Sequence, residues 1–327
     1  MNLPLSASGT ELLRIDGAVR LDHLGVMRAQ GADAASFLHS QLTQDFKVLG
    51  LSQARLAAYL SPKGRMLASF VAFRRPRVGD EDESVWLVTD RSTLPASLKR
   101  LSMFVLRSKA RLSDAGDALS VVGLAGSAAD GLLESAGSAP WSKLDRGDAS
   151  VVRLPQGNGQ SRALWVGPAA QSQELLASLA PISSSLWSWL EVRSGVARIQ
   201  AETVDQFVPQ MLNYELVGGV DFQKGCYPGQ EIVARSQYRG TLKRRSFLVH
   251  GDEAMTPGQE VFWQNDPAQP CGIVAASAAN PQGGFDAVAE LKLAALDGAT
   301  LHLGSPGGPI LQLLDLPYAV PRDAAAA

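Results

Sequence analysis

The chain has 327 residues and a mass of 34.6 kDa, enough for two domains that bury about three quarters of their unfolded surface without disulfides or structural metals. Apolar residues make up 46 % and charged residues 19 %, a globular balance, and a net charge of −2 excludes a globally basic nucleic-acid binder. The two cysteines, Cys226 and Cys271, form no C-x-x-C pair, which disfavours a zinc ribbon, a ferredoxin-type cluster and a disulfide scaffold. No basic segment followed by an apolar core opens the chain, and no apolar stretch approaches the roughly 18 residues of a bilayer span. A soluble, cytoplasmic protein with reduced thiols is expected.

In chain order, helical and strand patterns alternate up to residue 154. Ala34, Phe37, Leu38 and Leu42 share one helical face after Gly31-Ala32-Asp33. Strands are predicted over 57–60 and 66–73, joined by Ser61-Pro62-Lys63-Gly64, whose proline and glycine suit a tight hairpin turn. A third strand is predicted over 84–89, and Leu94, Leu98, Leu101 and Val105 repeat at helical spacing. A strand over 120–124 and a helix over 128–136 follow. The stretch 137–150, rich in Gly, Asp and Ser, reads as a boundary loop. Strands at 151–154 and 163–166 precede helices at 172–179 and 182–193, the second entered after Pro181 with serines available as caps. Residues 200–240 show little regular pattern, yet their Phe, Val, Met, Leu and Tyr content points to a functional segment over a disordered one. From residue 246 onward, short apolar runs (246–250, 260–263, 272–276, 288–293 and 310–314) are split by Gly, Pro and Asp, the texture of a small β-barrel or sandwich. Residues 324–327 are expected to fray.

The densest chemical signal is Lys224-Gly225-Cys226-Tyr227-Pro228-Gly229-Gln230-Glu231. Tyr227 to Gln230 fit a type II turn, with proline pre-setting φ and glycine supplying a positive φ. A short helix is predicted over 230–235. Cys226 would then sit just before a helix N-terminus and beside Lys224, both of which favour thiolate. Against this stands a small buried hydrophobic role for Cys226. No motif links the four histidines to Cys226, so neither a Cys–His catalytic pair nor a metal site is indicated. Arg235, Arg239, Lys243, Arg244 and Arg245 form a basic stretch that suits an anionic partner (a polyglutamate tail, a phosphate or RNA) or, equally, a solvated edge strand. Trp187 and Trp189 point to different faces of their helix, one toward the core and the other available to stack on a flat ligand. The sequence lacks a P-loop, a G-x-S-x-G elbow and a dinucleotide-binding G-x-G-x-x-G in a suitable strand–helix context.

The segment 224–231 resembles the K-G-C-Y-x-G-Q-E signature of the YgfZ family of folate-binding proteins, related to the glycine-cleavage T-protein. The likeness continues through Gly31-Ala32-Asp33-Ala34, Phe37-Leu38, Gln41-Leu42-Thr43 with Asp45, and Pro62-Lys63-Gly64-Arg65-Met66. It extends to Phe207-Val208-Pro209-Gln210 with Asn213, then Ala234-Arg235, Tyr238-Arg239-Gly240 and Lys243-Arg244. The resemblance implies an α+β fold: interleaved N-terminal subdomains around a central channel over 1–245, a C-terminal β-barrel over 246–320, and a disordered tail over 321–327.

By the same resemblance the protein is an accessory in assembly or maintenance of iron–sulfur proteins, including tRNA-modifying enzymes. Cys226 is the functional thiol, with Lys224 beside it. Tetrahydrofolate is the implied ligand of the channel, and no permanently bound metal is implied. Trp189 matches a tryptophan assigned to the folate site, and Tyr227, Gln230, Glu231 and Arg235 belong to the same implied site. Three positions depart from the pattern. A second family tryptophan is replaced by Leu24, and Arg193 stands where T-proteins carry a pterin-gripping glutamate. Arg193 is expected to engage Glu191, Glu202 or a ligand carboxylate instead. The residues after Met66 are Leu67-Ala68-Ser69, without the carboxylate that T-proteins place there for the folate nitrogen. Implied partners are folate and iron–sulfur client proteins or assembly factors, with direct tRNA contact through the basic stretch and no membrane. Two other classes of function stand beside this one: a folate-dependent aminomethyl transferase, and a non-catalytic module binding RNA or an acidic partner.

Overall fold

The computed structural model describes residues 13–77, 83–238, 242–296, 298 and 300–321. The first half contains β1 (Gly17–Arg20), β2 (Leu24–Gln30), α1 (Ala34–Gln41), β3 (Ala54–Leu60), β4 (Met66–Arg75) and β5 (Ser84–Asp90). These are followed by α2 (Leu94–Val105), β6 (Arg111–Asp114), β7 (Leu119–Ala125) and α3 (Ser127–Leu132). Next come β8 (Lys143–Arg146), β9 (Ala149–Gly157), β10 (Gln160–Pro168), α4 (Ala169–Ser178) and α5 (Ser184–Arg193). Between Ser194 and α6 (Gln230–Tyr238) the chain is irregular apart from two 3-10 turns at Ala201–Thr203 and Pro209–Leu212. The remainder supplies β11 (Arg244–Gly251), β12 (Glu260–Trp263), β13 (Gly272–Ala279), β14 (Phe285–Lys292), β15 (Leu301–Leu303) and β16 (Ile310–Leu314).

The strands make two five-stranded antiparallel sheets, β1-β7-β10-β9-β8 and β3-β4-β5-β2-β6, and one closed barrel, β11-β14-β13-β12-β15-β16. β1 belongs to the first sheet and β2 to the second, while β7 returns to the first, so the two sheets are interleaved in sequence. A shared core joins them: Val19, Val121, Val152, Leu154 and Leu164 from one sheet meet Leu24, Val26, Phe73, Trp86 and Val88 from the other. β5 and β7 are buried along their whole lengths, which explains why they read as continuous apolar runs without a period of two.

α5 packs Trp187 against the first sheet. A Cβ on Gly123 of β7 would lie 2.7 Å from the Trp187 ring, so only glycine leaves room for the indole. On another side the Arg162 guanidinium lies 4.7 Å from the ring centroid. At the opposite end of the sheets Arg75 of β4 reaches across to Asp145 (2.8 Å) and the carbonyls of Gly147 and Ala149 (both 2.9 Å). Buried Lys143 donates to Asp145 (2.7 Å) and to the Leu51 carbonyl (2.8 Å). This clamp organises 137–150, where a boundary loop is expected but β8 forms. β8 pairs antiparallel with β9, and its polar side chains, held by ion pairs, carry no hydrophobic period.

Other elements differ at the edges. α3 ends at Leu132 instead of residue 136, and α4 begins at Ala169. β1, β2, β6 and β15 are additional to the predicted strands. Residues 324–327 lie outside the described residues, as do Arg239 and Gly240 of the basic stretch. Among the described residues no helix is long and apolar enough to cross a membrane.

Trp187→Ala removes a wholly buried ring whose pocket is shaped by glycine and arginine. It should lower unfolding free energy by about 3–5 kcal/mol, read as a shifted urea midpoint.

Candidate functional site

Four separated segments build the loop 224–231. Gly229 (φ +80°) follows Pro228 in the turn, as the type II geometry requires, and the Gln230 amide donates to the Tyr227 carbonyl (3.2 Å). This turn is packed against the β3–β4 hairpin turn, where Gly64 has φ +72°. A Cβ on Gly229 would lie 2.6 Å from the Ser61 carbonyl oxygen and 2.8 Å from Gly64 Cα; one on Gly64 would lie 2.7 Å from Ile232 Cβ. The two glycines therefore let two backbones touch where any side chain would part them. From the third segment Gln210 donates to the Val233 carbonyl (2.8 Å), holding α6. Asn213, in the left-handed region at φ +57°, donates to the Ser246 carbonyl (2.9 Å) at the start of the barrel. From the fourth, Thr43 Oγ1 donates to the Gly219 carbonyl (2.7 Å), and the Gln44 side chain donates to the Gly218 carbonyl (2.7 Å).

On this frame Cys226 is exposed and Cys271 is buried. Lys224 is buried: its ammonium donates to the carbonyls of His39 (2.5 Å) and Gly225 (3.2 Å) and lies 4.4 Å from the Tyr227 ring centroid. Burial lowers the Lys224 ammonium to about 8, opposed by Asp45, Asp221 and Cys226, whose charges favour the ammonium. Burial and Asp221 push the Tyr227 phenol up to about 12. Tyr227 is thus the floor under the lysine, and its hydroxyl stays protonated. Gln230 opens α6 at intermediate exposure, while Glu231 and Arg235 are exposed on that helix.

In one pair here the histidine carries no sequence signal. His39 Nδ1, on the last turn of α1, donates to Asp45 Oδ1 (2.8 Å), and the same oxygen accepts the Lys47 amide (2.8 Å). His39 Nε2 faces the Gly225 backbone, 3.1 Å from where a Cβ would stand. The structure therefore gathers His39, Asp45, Lys224 and Cys226 into one cluster. Only Gln41 to Asp45, among the segments resembling the family pattern, marks the neighbourhood. The basic stretch does not gather with it as free charge. Arg244 is bonded to Glu290 (2.7 Å), and buried Arg245 to Glu215 (2.6 Å) and Asn213 (3.1 Å). These two arginines hold the barrel, which corrects their reading as part of a free anion-binding surface.

A second feature is a cavity of about 60 Å³ between the two sheets, α5 and the segment after it. Leu24, Val71, Val88, Trp141 and Leu164 give it apolar walls, and Ser69, Arg162, Glu191, Ser194, Arg198 and Tyr214 are polar ones. Glu191 Oε1 accepts from Arg198 NH1 (2.6 Å), with Arg162 and His23 each 3.8 Å from the carboxylate. Burial would raise the Glu191 carboxyl, but Arg198, His23 and Arg162 together hold it down at about 2. A larger cleft of about 400 Å³ adjoins it, sharing Glu191, Val196 and Arg198 and opening past Asp90, Gln200 and Glu202. The Glu191–Arg198 pair is the partition between the two.

Leu24 lies on the central cavity, but Trp189 and Arg193 do not. Both face a separate cleft against the barrel, where Trp189 Nε1 donates to Asp286 (2.7 Å) and Arg193 approaches the same carboxylate at 3.6 Å. Both tryptophans of α5 are buried, where one was expected to be free for stacking. Arg193 pairs with neither Glu191 nor Glu202, the acids expected for it. Residues 191 and 193 lie on opposite faces of the helix, which sends them to different cavities. Ser69, from the segment lacking the expected carboxylate, faces the central cavity and accepts the Ile199 amide (3.0 Å). Among the described residues no group of three or more His, Cys, Asp and Glu side chains could hold a metal ion.

No family model matches the chain. Aminomethyltransferase T of the glycine cleavage system from Bartonella henselae superposes with a TM-score of 0.69 at 16 % identity, over 94 % of this chain and 87 % of that one. The two interleaved sheets and the barrel are thus a glycine-cleavage T-protein-like fold. The tRNA-modifying protein YgfZ of Yersinia pseudotuberculosis serotype O:1b is 31 % identical over 273 residues, 80 % of this chain and 78 % of that protein. The protein of that name from Yersinia enterocolitica serotype O:8 is 28 % identical over 320 residues, 93 % of each chain. The chain belongs to the family of tRNA-modifying proteins named YgfZ.

Two outcomes test this description. Glu191 has a lowered pKa, so its contribution to stability is complete above about 4.5 and is lost as pH falls toward about 2. Glu191→Gln should cost about 1–3 kcal/mol at neutral pH, because Arg162 stays buried without its carboxylate partner while half-buried Arg198 keeps Asp90 at 3.7 Å. It should also flatten the acid limb of a urea-denaturation series. Native protein treated with iodoacetamide should carry one modified thiol by mass spectrometry, at Cys226, with Cys271 modified only after unfolding.

Proposed function

We propose that the protein supports tRNA modification as an accessory to iron–sulfur proteins, with Cys226 as its working thiol and tetrahydrofolate as a ligand of the central channel. The observation that carries the thiol is its exposure beside Lys224, on a loop that three other parts of the chain hold in place. Such a thiol can form a mixed disulfide or lend one sulfur to a cluster in transit. A single cysteine does not hold a cluster alone, so partner thiols complete any such site.

For folate, chemistry and volume have to be weighed separately. The donor-rich edge of a pterin suits a carboxylate, which Glu191 offers, and the apolar walls suit its faces. The inner cavity of about 60 Å³ is below the range of roughly 300–1,000 Å³ usual for ligand sites, whereas the adjoining cleft of about 400 Å³ is within it. The residues fit the ligand if it occupies the cleft and reaches Glu191 past Arg198. His23 and Arg198 would then hold the ligand's own carboxylates. Bound there, tetrahydrofolate would supply a reduced nitrogen pair able to carry a one-carbon unit. The chain's part is to orient the ring and keep water out. Aminomethyl transfer is the weaker reading, because Ser69 faces the cavity where that chemistry calls for an acid.

In a strain lacking the native gene, Cys226→Ala should fail to restore tRNA thiolation and iron–sulfur enzyme activity although the protein accumulates; full restoration removes the thiol from the proposal. Tetrahydrofolate should quench Trp141 fluorescence saturably in wild type, with affinity reduced about tenfold or more in Glu191→Gln, a charge-assisted pair being lost. Absence of quenching removes folate from the channel.

A further inference from the structure

The cleft that takes Trp189 and Arg193 is apart from both the thiol loop and the central cavity. It has a volume of about 440 Å³, between α5, the tip of the β9–β10 hairpin and the β13–β14 turn of the barrel. At its base Asp286 is wholly buried and already saturated. It accepts from Trp189 Nε1 (2.7 Å), His250 Nδ1 (2.8 Å) and Asn280 Nδ2 (3.2 Å to each oxygen). Arg193 stands over this base in the opposite condition. Its guanidinium is 3.6 Å from Asp286, close enough for charge balance, yet its one hydrogen bond among the described residues is a long one to Asn158 Oδ1 (3.3 Å). Its Nε is buried and makes no hydrogen bond. A guanidinium has five N–H donors, and a buried donor left without an acceptor is unfavourable.

We propose that this cleft binds a small monocarboxylate, with Arg193 as its anchor. Three features set the class. The guanidinium fork matches a carboxylate bidentately, whereas a lone ammonium would not select for one. Asp286 offsets one positive charge of the site, so a monoanion is favoured over a dianion such as phosphate. The side-chain amides of Asn158 and Gln282 border the cleft and suit a ligand with hydrogen-bonding groups, while Leu314 and the Trp189 ring give its body an apolar wall. His250, tied to Asp286 through Nδ1 (2.8 Å), stands on the rim.

The test is a titration of 15N-labelled full-length protein with sodium benzoate at constant ionic strength, followed through side-chain N–H resonances. The Trp189 indole signal, assigned by its loss in Trp189→Phe, and the Arg193 Nε signal should move saturably. Arg193→Gln should abolish the shifts, and Arg193→Lys, which keeps the charge beside Asp286, should weaken binding about tenfold through loss of the fork. Inorganic phosphate at the same concentration should leave both signals in place. The proposal is overturned by a silent benzoate titration, by shifts that persist in Arg193→Gln, or by an equal response to phosphate. If Arg193→Gln loses the dispersed spectrum of a folded protein, Arg193→Lys decides: affinity equal to wild type overturns the bidentate anchor. None of these readouts involves Cys226, so they stand or fall apart from the thiol and folate readings.

Discussion

One half-buried carboxylate ties the parts of the N-terminal architecture to one another. Glu191 projects from α5 toward Arg162 of one sheet, His23 at the entrance to the other, and Arg198 on the strand of chain that leads to the thiol loop. Two sheets that share an apolar core can slide over one another, because dispersion and hydrophobic burial are not directional. A charge bonded to Arg198 and faced by Arg162 and His23 is directional, and removing it leaves buried Arg162 without its carboxylate partner. The same group faces the central cavity, so the contact that sets the arrangement of the sheets also sets the chemistry of the space between them.

The thiol loop is stabilised differently, by backbone fit. Gly64 and Gly229 bring two turns into contact, and Gln210 and Asn213 tie the loop's surroundings to α6 and β11 through backbone acceptors. Tyr227 and Val233 anchor the loop and α6 in the apolar cluster beneath them, while Cys226, between them and solvent, remains exposed. Lys224 is the exception in the loop. Buried under His39 and over Tyr227, it brings a positive charge near the sulfur without occupying the solvent side.

Much of this was legible in the amino-acid order. α2 follows its heptad-like spacing from Leu94 to Val105, and the barrel strands follow the turn residues that separate them. The turn at Pro228-Gly229 has the conformation those two residues dictate. What escaped has a common cause: it depends on partners distant in sequence. β8 pairs with β9 as a polar strand held by ion pairs such as that of Arg75 and Asp145 across two sheets, so residues 143–146 carry no hydrophobic period. His39 comes to the cysteine loop through the packing of α1. The division of α5 into a Glu191 face and an Arg193 face follows from helical geometry, but only the folded neighbours reveal that each face has its own cavity. Arg244 and Arg245 read as part of a positive run and are instead paired, because Glu290 and Glu215 arrive from elsewhere in the chain.

The contact between Gly64 and Gly229 also bears on the order of assembly. The β3–β4 hairpin can form from neighbouring residues, whereas the loop around Cys226 has its final shape only once a turn made far earlier in the chain is in place beneath it. Contacts of such long sequence separation form late, after the entropy of closing the intervening chain has been overcome. Until then Lys224 lacks its seat beneath α1, and the sulfur is an ordinary one. A chain lacking the β3–β4 hairpin therefore presents Cys226 without the turn that shapes its loop.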